Sequence, residues 1–136
     1  MNILIVEDEV LLAWELESEL EAAGHRVLAH AMSSKDAVTQ ADALRPDLAF
    51  VDIHLQDGPT GVEVGRYLAS IGIPYVFMTG NLKRVPEDLA GALGVIEKPY
   101  SVNGLRNAVA YLARRVGGLP AGGIVPPSLI VSLTTA

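Results

Sequence analysis

Hydrophobic residues in this chain come in two alternating patterns. Short unbroken apolar runs stand at Ile3-Leu4-Ile5-Val6, Leu48-Ala49-Phe50-Val51 and Tyr75-Val76-Phe77-Met78. Runs of that length are the habit of strands buried on both faces of a sheet. Between them, apolar residues return every third or fourth position. Leu12, Leu16 and Leu20, with Ala13 and Ala23, predict a helix from Val10 to Ala23 that Gly24 stops. His25 to His30 reads as a second strand, more polar than its neighbours and therefore at an edge. Ser33 or Ser34 caps a second helix with a thin face of Ala37, Ala41 and Leu44, ended by Arg45-Pro46. Val62, Val64, Tyr67 and Leu68 mark a third helix reaching about Ile71. Pro86-Glu87-Asp88 opens a fourth, with room for only a turn or two before Gly91 and Gly94. Val95-Ile96 is a short fifth strand, and Val102, Leu105, Val109, Leu112 and Val116 form the stripe of a last helix. Five strands alternating with five helices, joined by right-handed crossovers, predict an α/β fold: a doubly wound parallel sheet with a short fourth helix.

Composition narrows what such a fold does here. The chain has 136 residues, half of them hydrophobic, which suits one domain with a substantial core. A net charge of −6, with no basic cluster beyond Arg114-Arg115, argues against direct nucleic-acid binding. Cysteine is absent, which removes disulfides and thiolate chemistry and fits a reducing compartment. No signal-peptide pattern opens the chain, and no apolar run approaches the ~20 residues of a membrane span. A cytoplasmic location, with no membrane partner, is the expectation. After Val116 the character changes. Residues 117–136 carry no charge, four glycines and three prolines, so the reading is a domain over 1–116 and a tail over 117–136. Leu129-Ile130-Val131 is the one stretch of that tail able to pack on the domain or extend a sheet edge.

The chemistry gathers at the carboxyl ends of the strands, where parallel α/β sheets bind ligands. Strand one delivers Glu7 and Asp8, strand three Asp52, strand four Thr79 and strand five Lys98. Three carboxylates crowded together repel one another unless a hard cation lies between them, and Mg²⁺ with its oxygen ligands fits. A carboxylate beside Mg²⁺ can act as nucleophile toward a phosphoryl group and form an acyl phosphate. A hydroxyl from Thr79 and a point charge from Lys98 would position and neutralise that group's oxygens. Each residue also has a plainer reading. Glu7-Asp8-Glu9 suits a helix N-terminus, Asp52 a loop cap, Thr79 a strand end and Lys98 a solvated surface. His25 and His30 read as surface residues of strand two.

The ordered set Ile5-Val6-Glu7-Asp8-Glu9, Val51-Asp52, Thr79-Gly80 and Lys98-Pro99 resembles the receiver domain of bacterial two-component response regulators, over Met1 to about Val116. The resemblance implies a flavodoxin-like sheet of order 2-1-3-4-5. It makes Asp52 the phospho-acceptor and Glu7, Asp8 and Asp52 the Mg²⁺ ligands, joined by the His54 backbone carbonyl. Thr79 and Lys98 would contact the phosphoryl oxygens, and Lys98-Pro99 would be a cis peptide. The implied protein is no enzyme in the usual sense. It is a single-domain regulator that assists its own Mg²⁺-dependent phosphorylation and dephosphorylation. Its phosphoryl donor would be a histidine kinase or phosphotransfer protein, and its output phosphorylation-dependent protein contact. Receivers commonly dimerise or bind targets through the face of the fourth helix, fifth strand and fifth helix, with the tail here as a modulator of that face. Phe77-Met78-Thr79-Gly80 resembles a Phe-x-Thr-Gly subgroup of stand-alone receivers working with HWE-type histidine kinases. Two features depart from the family pattern. Val95 stands where an aromatic residue is often found, and the segment from Thr79 to Lys98 is shorter by roughly one helical turn. The alternatives are a phosphate sink for a shared kinase and a phosphorylation-independent binding module. An aspartyl-phosphate phosphohydrolase would commonly have Asp where His54 stands, and a flavodoxin-like electron carrier would need a phosphate loop after strand one.

Overall fold

The structure, a computed structural model, describes residues 1–118 and 124–133. The rest of the 117–136 tail lies outside the described residues. Five parallel strands form one sheet in the order β2-β1-β3-β4-β5. They are β1 (Asn2–Val6), β2 (Arg26–Ala31), β3 (Leu48–Asp52), β4 (Tyr75–Thr79) and β5 (Gly94–Glu97). Four α-helices connect and follow them: α1 (Val10–Ala22), α2 (Ser34–Leu44), α3 (Gly61–Ser70) and α4 (Val102–Val116).

Alternation along the buried strands divides the core in two. Ile3, Ile5, Leu48, Phe50, Val76, Met78 and Ile96 face Leu16, Leu20, Leu105, Val109 and Leu112 of α1 and α4. Leu4, Val6, Ala49, Val51, Tyr75, Phe77 and Val95 face Ala37, Ala41, Val64 and Leu68 of α2 and α3. Successive side chains of a strand point to opposite faces, so every residue of a strand covered on both sides must be apolar. β2 lies at the edge, and its middle residues are only half-buried, in keeping with its more polar sequence. Trp14 is exposed on the outer side of α1.

The fourth helix of the sequence reading is not an α-helix. Between β4 and β5 lie two single 3₁₀ turns, Leu82–Arg84 and Leu89–Gly91. Leu89 and Ala90 both adopt positive φ, at 56° and 51°, which interrupts any continuous helix there. Buried Val85, Leu89 and Ala90 still attach the segment to the α3 side of the core. The last helix of the sequence reading is therefore α4.

The tail returns to the sheet. Ile130 forms an antiparallel bridge with Val95 on the open side of β5, and Leu129 is buried. Among the described residues, no helix is long and apolar enough to cross a membrane.

Candidate functional site at the carboxyl ends of the strands

Register brings the acidic groups together. Val6 pairs with Val51, so the next residues, Glu7 and Asp52, leave adjacent strands side by side. Asp52 in turn pairs with Met78. Thr79 lies opposite Glu97, and the Lys98 N–H donates to the Thr79 carbonyl at 2.8 Å. One carboxylate oxygen from each of Glu7, Asp8 and Asp52 lies within 4.8 Å of the others. Among the described residues this is the only such grouping of potential metal ligands.

Lys98 lies between two of these acids. Its Nζ donates to Asp52 Oδ2 at 2.7 Å and to Glu7 Oε1 at 2.9 Å. The His54 N–H donates to Asp52 Oδ1 at 3.1 Å, which orients the carboxylate. Glu7 is the most buried of the acids, and its Oε2 has no hydrogen-bond partner. Burial first, and the adjacent Asp52 second, push the Glu7 carboxyl up to about 8 against the pull of Lys98. Burial also acts to raise Asp52, but hydrogen bonds with Glu7 and Lys98, the Lys98 charge and the His54 amide outweigh it. Asp52 is therefore held below the ordinary carboxylate range. For Lys98, burial opposes the charge and the two carboxylates more than offset it, so its pKa is raised. Lys98 and Asp52 are thus favoured in their charged forms, while Glu7 is biased toward its protonated form.

The chemistry of this donor set fits a hard divalent cation. Three carboxylates can converge on one point, and the orphaned Glu7 oxygen is a buried acceptor lacking a positive partner. A cleft of about 400 Å³ beside the trio is lined by Asp8, Asp52, His54, Thr79, Gly80 and Lys98. All the residues expected from sequence thus border one space, except Glu7, which lines the apolar cavity next to it. Thr79 Oγ1 is turned to the following turn, accepting from the Asn81 N–H at 3.1 Å and donating to the Asn81 carbonyl at 3.3 Å. The Lys98-Pro99 peptide is cis, as the resemblance implies. His25 and His30 stay outside, contacting the N-terminal amine and Glu17.

Two contributors escaped the sequence reading. The loop after Asp52 is tied down by Asp57, which accepts from the Ser34 amide and hydroxyl and from the Thr60 hydroxyl. That loop closes at Gly61, whose N–H donates to the Ile53 carbonyl at 2.9 Å. A Cβ at Gly61 would stand 2.1 Å from the Asp52 carbonyl oxygen, so only glycine lets α3 start against the strand end that carries the acid. The Gly58-Pro59-Thr60-Gly61 run was the available signal. Behind the trio, an apolar cavity of about 300 Å³ lies among Leu12, Leu16, Phe50, Met78 and Tyr100, and burial against these side chains is the main reason Glu7 resists ionisation.

Comparison with known proteins agrees with this arrangement. Residues 3–110 match the response regulator receiver domain family. The chain is 39% identical over 85 residues to the phyllosphere-induced regulator PhyR of Methylorubrum extorquens, covering 61% of this chain and 32% of that protein. It is 30% identical over 121 residues to the transcriptional regulatory protein PdtaR of Mycobacterium tuberculosis, covering 84% of this chain and 57% of that protein. The chain thus spans between a third and somewhat over half of the length of these relatives. Among solved structures, the signal receiver domain of a modulated diguanylate cyclase from Desulfovibrio desulfuricans G20 superposes with a TM-score of 0.73 at 31% identity, over 85% of this chain and 95% of that one. A sheet of order 2-1-3-4-5 with an acidic trio and a lysine at its carboxyl edge, matched over 3–110, identifies the chain as a member of the response regulator receiver domain family.

Proposed function

We propose that this chain accepts a phosphoryl group on Asp52 from a histidine kinase or phosphotransfer protein and signals by contact with other proteins. The observation that carries the reading is the convergence of Glu7, Asp8 and Asp52 with Lys98 from three different strand ends. Asp52 is the natural nucleophile. It is ionised, its Oδ1 is fixed by the His54 amide, and it borders the open cleft. An Asp52 oxygen attacks phosphorus, forming an acyl-phosphate P–O bond. The P–N bond of the donor phosphohistidine breaks, and its electron pair returns to the imidazole. Lys98 gives up one carboxylate contact to meet the incoming phosphoryl oxygens, and the Thr79 hydroxyl leaves Asn81 to do the same. Glu7, Asp8 and Asp52, with the His54 carbonyl, would hold Mg²⁺. When bound, Mg²⁺ neutralises charge on the phosphoryl group.

The HWE-type kinase association rests on Phe77-Met78-Thr79-Gly80 and belongs to the same proposal. So do the division into domain and tail and the cytoplasmic location. Output is assigned to the face built by the two 3₁₀ turns, β5 and α4, which adjoins Thr79 and Lys98. Val95, fully buried, offers no ring to rotate there.

Incubation with acetyl phosphate and Mg²⁺, read by intact mass, tests the reading. One added phosphoryl group is expected on the native chain and none on Asp52→Asn, with the circular dichroism of the two unchanged. Equal labelling of both would remove Asp52 from the role.

A further inference from the structure

The edge of the sheet beyond β5 is met by the chain's own tail. An edge strand exposes unpaired N–H and C=O groups, which serve as a template for another strand. Here Val95 is fully buried at that edge, so its outward amide and carbonyl need partners. The tail supplies both. Val95 N–H donates to the Ile130 carbonyl at 2.8 Å, and Ile130 N–H donates to the Val95 carbonyl at 2.9 Å. That is the exchanged pair of an antiparallel ladder. Side chains alternate across it as in a sheet strand. Leu129 enters the core on the α1 and α4 side, while Ile130 packs on the α2 and α3 side.

Two glycines shape the seat. At Gly94 a Cβ would lie 2.8 Å from Leu129 Cδ1 and 2.9 Å from the Ile130 carbonyl oxygen. A Cβ at Gly104, on the first turn of α4, would lie 2.9 Å from the capping Ser101 Oγ and 3.1 Å from Ser128 Cβ. The Ser128 hydroxyl donates to the Gly104 carbonyl at 2.6 Å. Neither glycine has a positive φ, so turn geometry does not account for them. Gly94 allows close approach of the tail, and Gly104 leaves room for the Ser101 cap and Ser128 together. Pro126-Pro127 restricts the chain just before it docks, which lowers the entropy lost in docking.

We propose that the β5 edge, notched at Gly94 and Gly104, is an acceptor site for one extended apolar strand, and that this chain's own segment 124–131 is its exchangeable resident. The site recognises a backbone ladder with a leucine on one face and an isoleucine on the other. While the tail occupies it in cis, a strand arriving from elsewhere must compete with a tethered rival whose effective concentration is in the millimolar range. The tail also walls a cleft of about 420 Å³ whose other sides include Glu97, Lys98 and Tyr100, so the acceptor and the acidic site share the β5 to α4 connection.

A fluorescent peptide of sequence 124–133, titrated against three full-length proteins, tests the proposal. Leu129→Asp weakens the tail but leaves the seat intact, and is expected to bind the peptide roughly tenfold tighter than the native chain, or more. Gly94→Ala fills the seat, and is expected to bind no peptide although its own tail is displaced. In the native chain, the Val95 and Ile130 amides are expected to exchange slowly with deuterium, and in both variants faster. Equal peptide binding by all three proteins overturns the proposal. So does absence of binding to a folded Leu129→Asp, or fast exchange of both amides in the native chain.

Discussion

Glu7 is the residue whose environment matters most for the behaviour of the acidic site. It lies against the apolar cavity, and Lys98 reaches only one of its oxygens. In the folded chain it keeps its proton until about pH 8, whereas in the unfolded chain it loses it near 4.5. Between those values the native state binds the extra proton, so stability is highest below 4.5 and is lost as pH rises through the folded value. Asp52 works the other way. Its lowered pKa contributes stability above its unfolded value of 3.8, lost as pH falls through its lower folded value. The window from about pH 5 to about pH 8 therefore belongs to Glu7. In EDTA, the melting temperature is expected to fall across that window. The neutral isostere in Glu7→Gln should flatten the slope and give the more stable protein at its upper end. Identical slopes for the two proteins would mean that Glu7 is ionised throughout.

At the scale of elements, the connection from β4 to β5 is the unusual part. Two 3₁₀ turns stand where a helix was expected, and a buried phenol holds the second. The Tyr75 hydroxyl donates to the Ala90 carbonyl, with a longer contact of 3.3 Å to that of Leu89. Its ring meets Phe77 edge-on at 5.1 Å, and Gly65 on α3 is shaped to admit it, since a Cβ there would lie 2.4 Å from the hydroxyl. Asp88 adds a second tether, accepting from the Ala90 N–H at 2.9 Å and pairing with Arg66. Tyr75→Phe keeps the ring and leaves the buried carbonyls without their donor, at a cost of about 1–3 kcal/mol. Urea denaturation should register that loss, and hydrogen exchange should quicken over residues 89–92 before it does in β3. A change of only a few tenths of a kcal/mol would show that packing alone holds the turn. The segment from Leu82 to Gly94 is expected to be the most readily opened part of the domain, having no α-helix to hold it.

For the whole molecule, the acidic edge stores repulsion that a cation would relieve. Any ligand that binds only the native state stabilises it, by about 2.7 kcal/mol at a hundred times its dissociation constant. Mg²⁺ is therefore expected to raise the melting temperature of the native chain. Asp8→Asn should reduce that increment, because one ligand oxygen of the trio loses its charge. The same substitution should leave the metal-free protein as stable as before or slightly more so, since it removes a like charge from the cluster. A full Mg²⁺ response in Asp8→Asn would place the cation away from Glu7, Asp8 and Asp52.

The sequence by itself determined the strands and which polar residues stand at their ends. Each buried strand is a continuous apolar run that ends in a polar residue, so strand identity and the acids, threonine and lysine at the strand ends are written locally. The resemblance supplied the strand order, and with it the adjacency of Glu7 and Asp52. Tertiary structure decided what depends on surfaces meeting from far along the chain. Lys98 finds Glu7 across 91 residues and Asp52 across 46, so its bridging position and the Glu7 proton follow from burial that no local pattern encodes. The helix signal at Pro86-Glu87-Asp88 gave way because the Tyr75 hydroxyl, fixed under α3, draws in the Ala90 carbonyl and the backbone turns left-handed to reach it. Leu129-Ile130 could be read as a sheet-edge stretch, but its seat could not. Gly94 and Gly104 are ordinary glycines in sequence, and become notches only when β5 and α4 stand side by side with the tail laid across them.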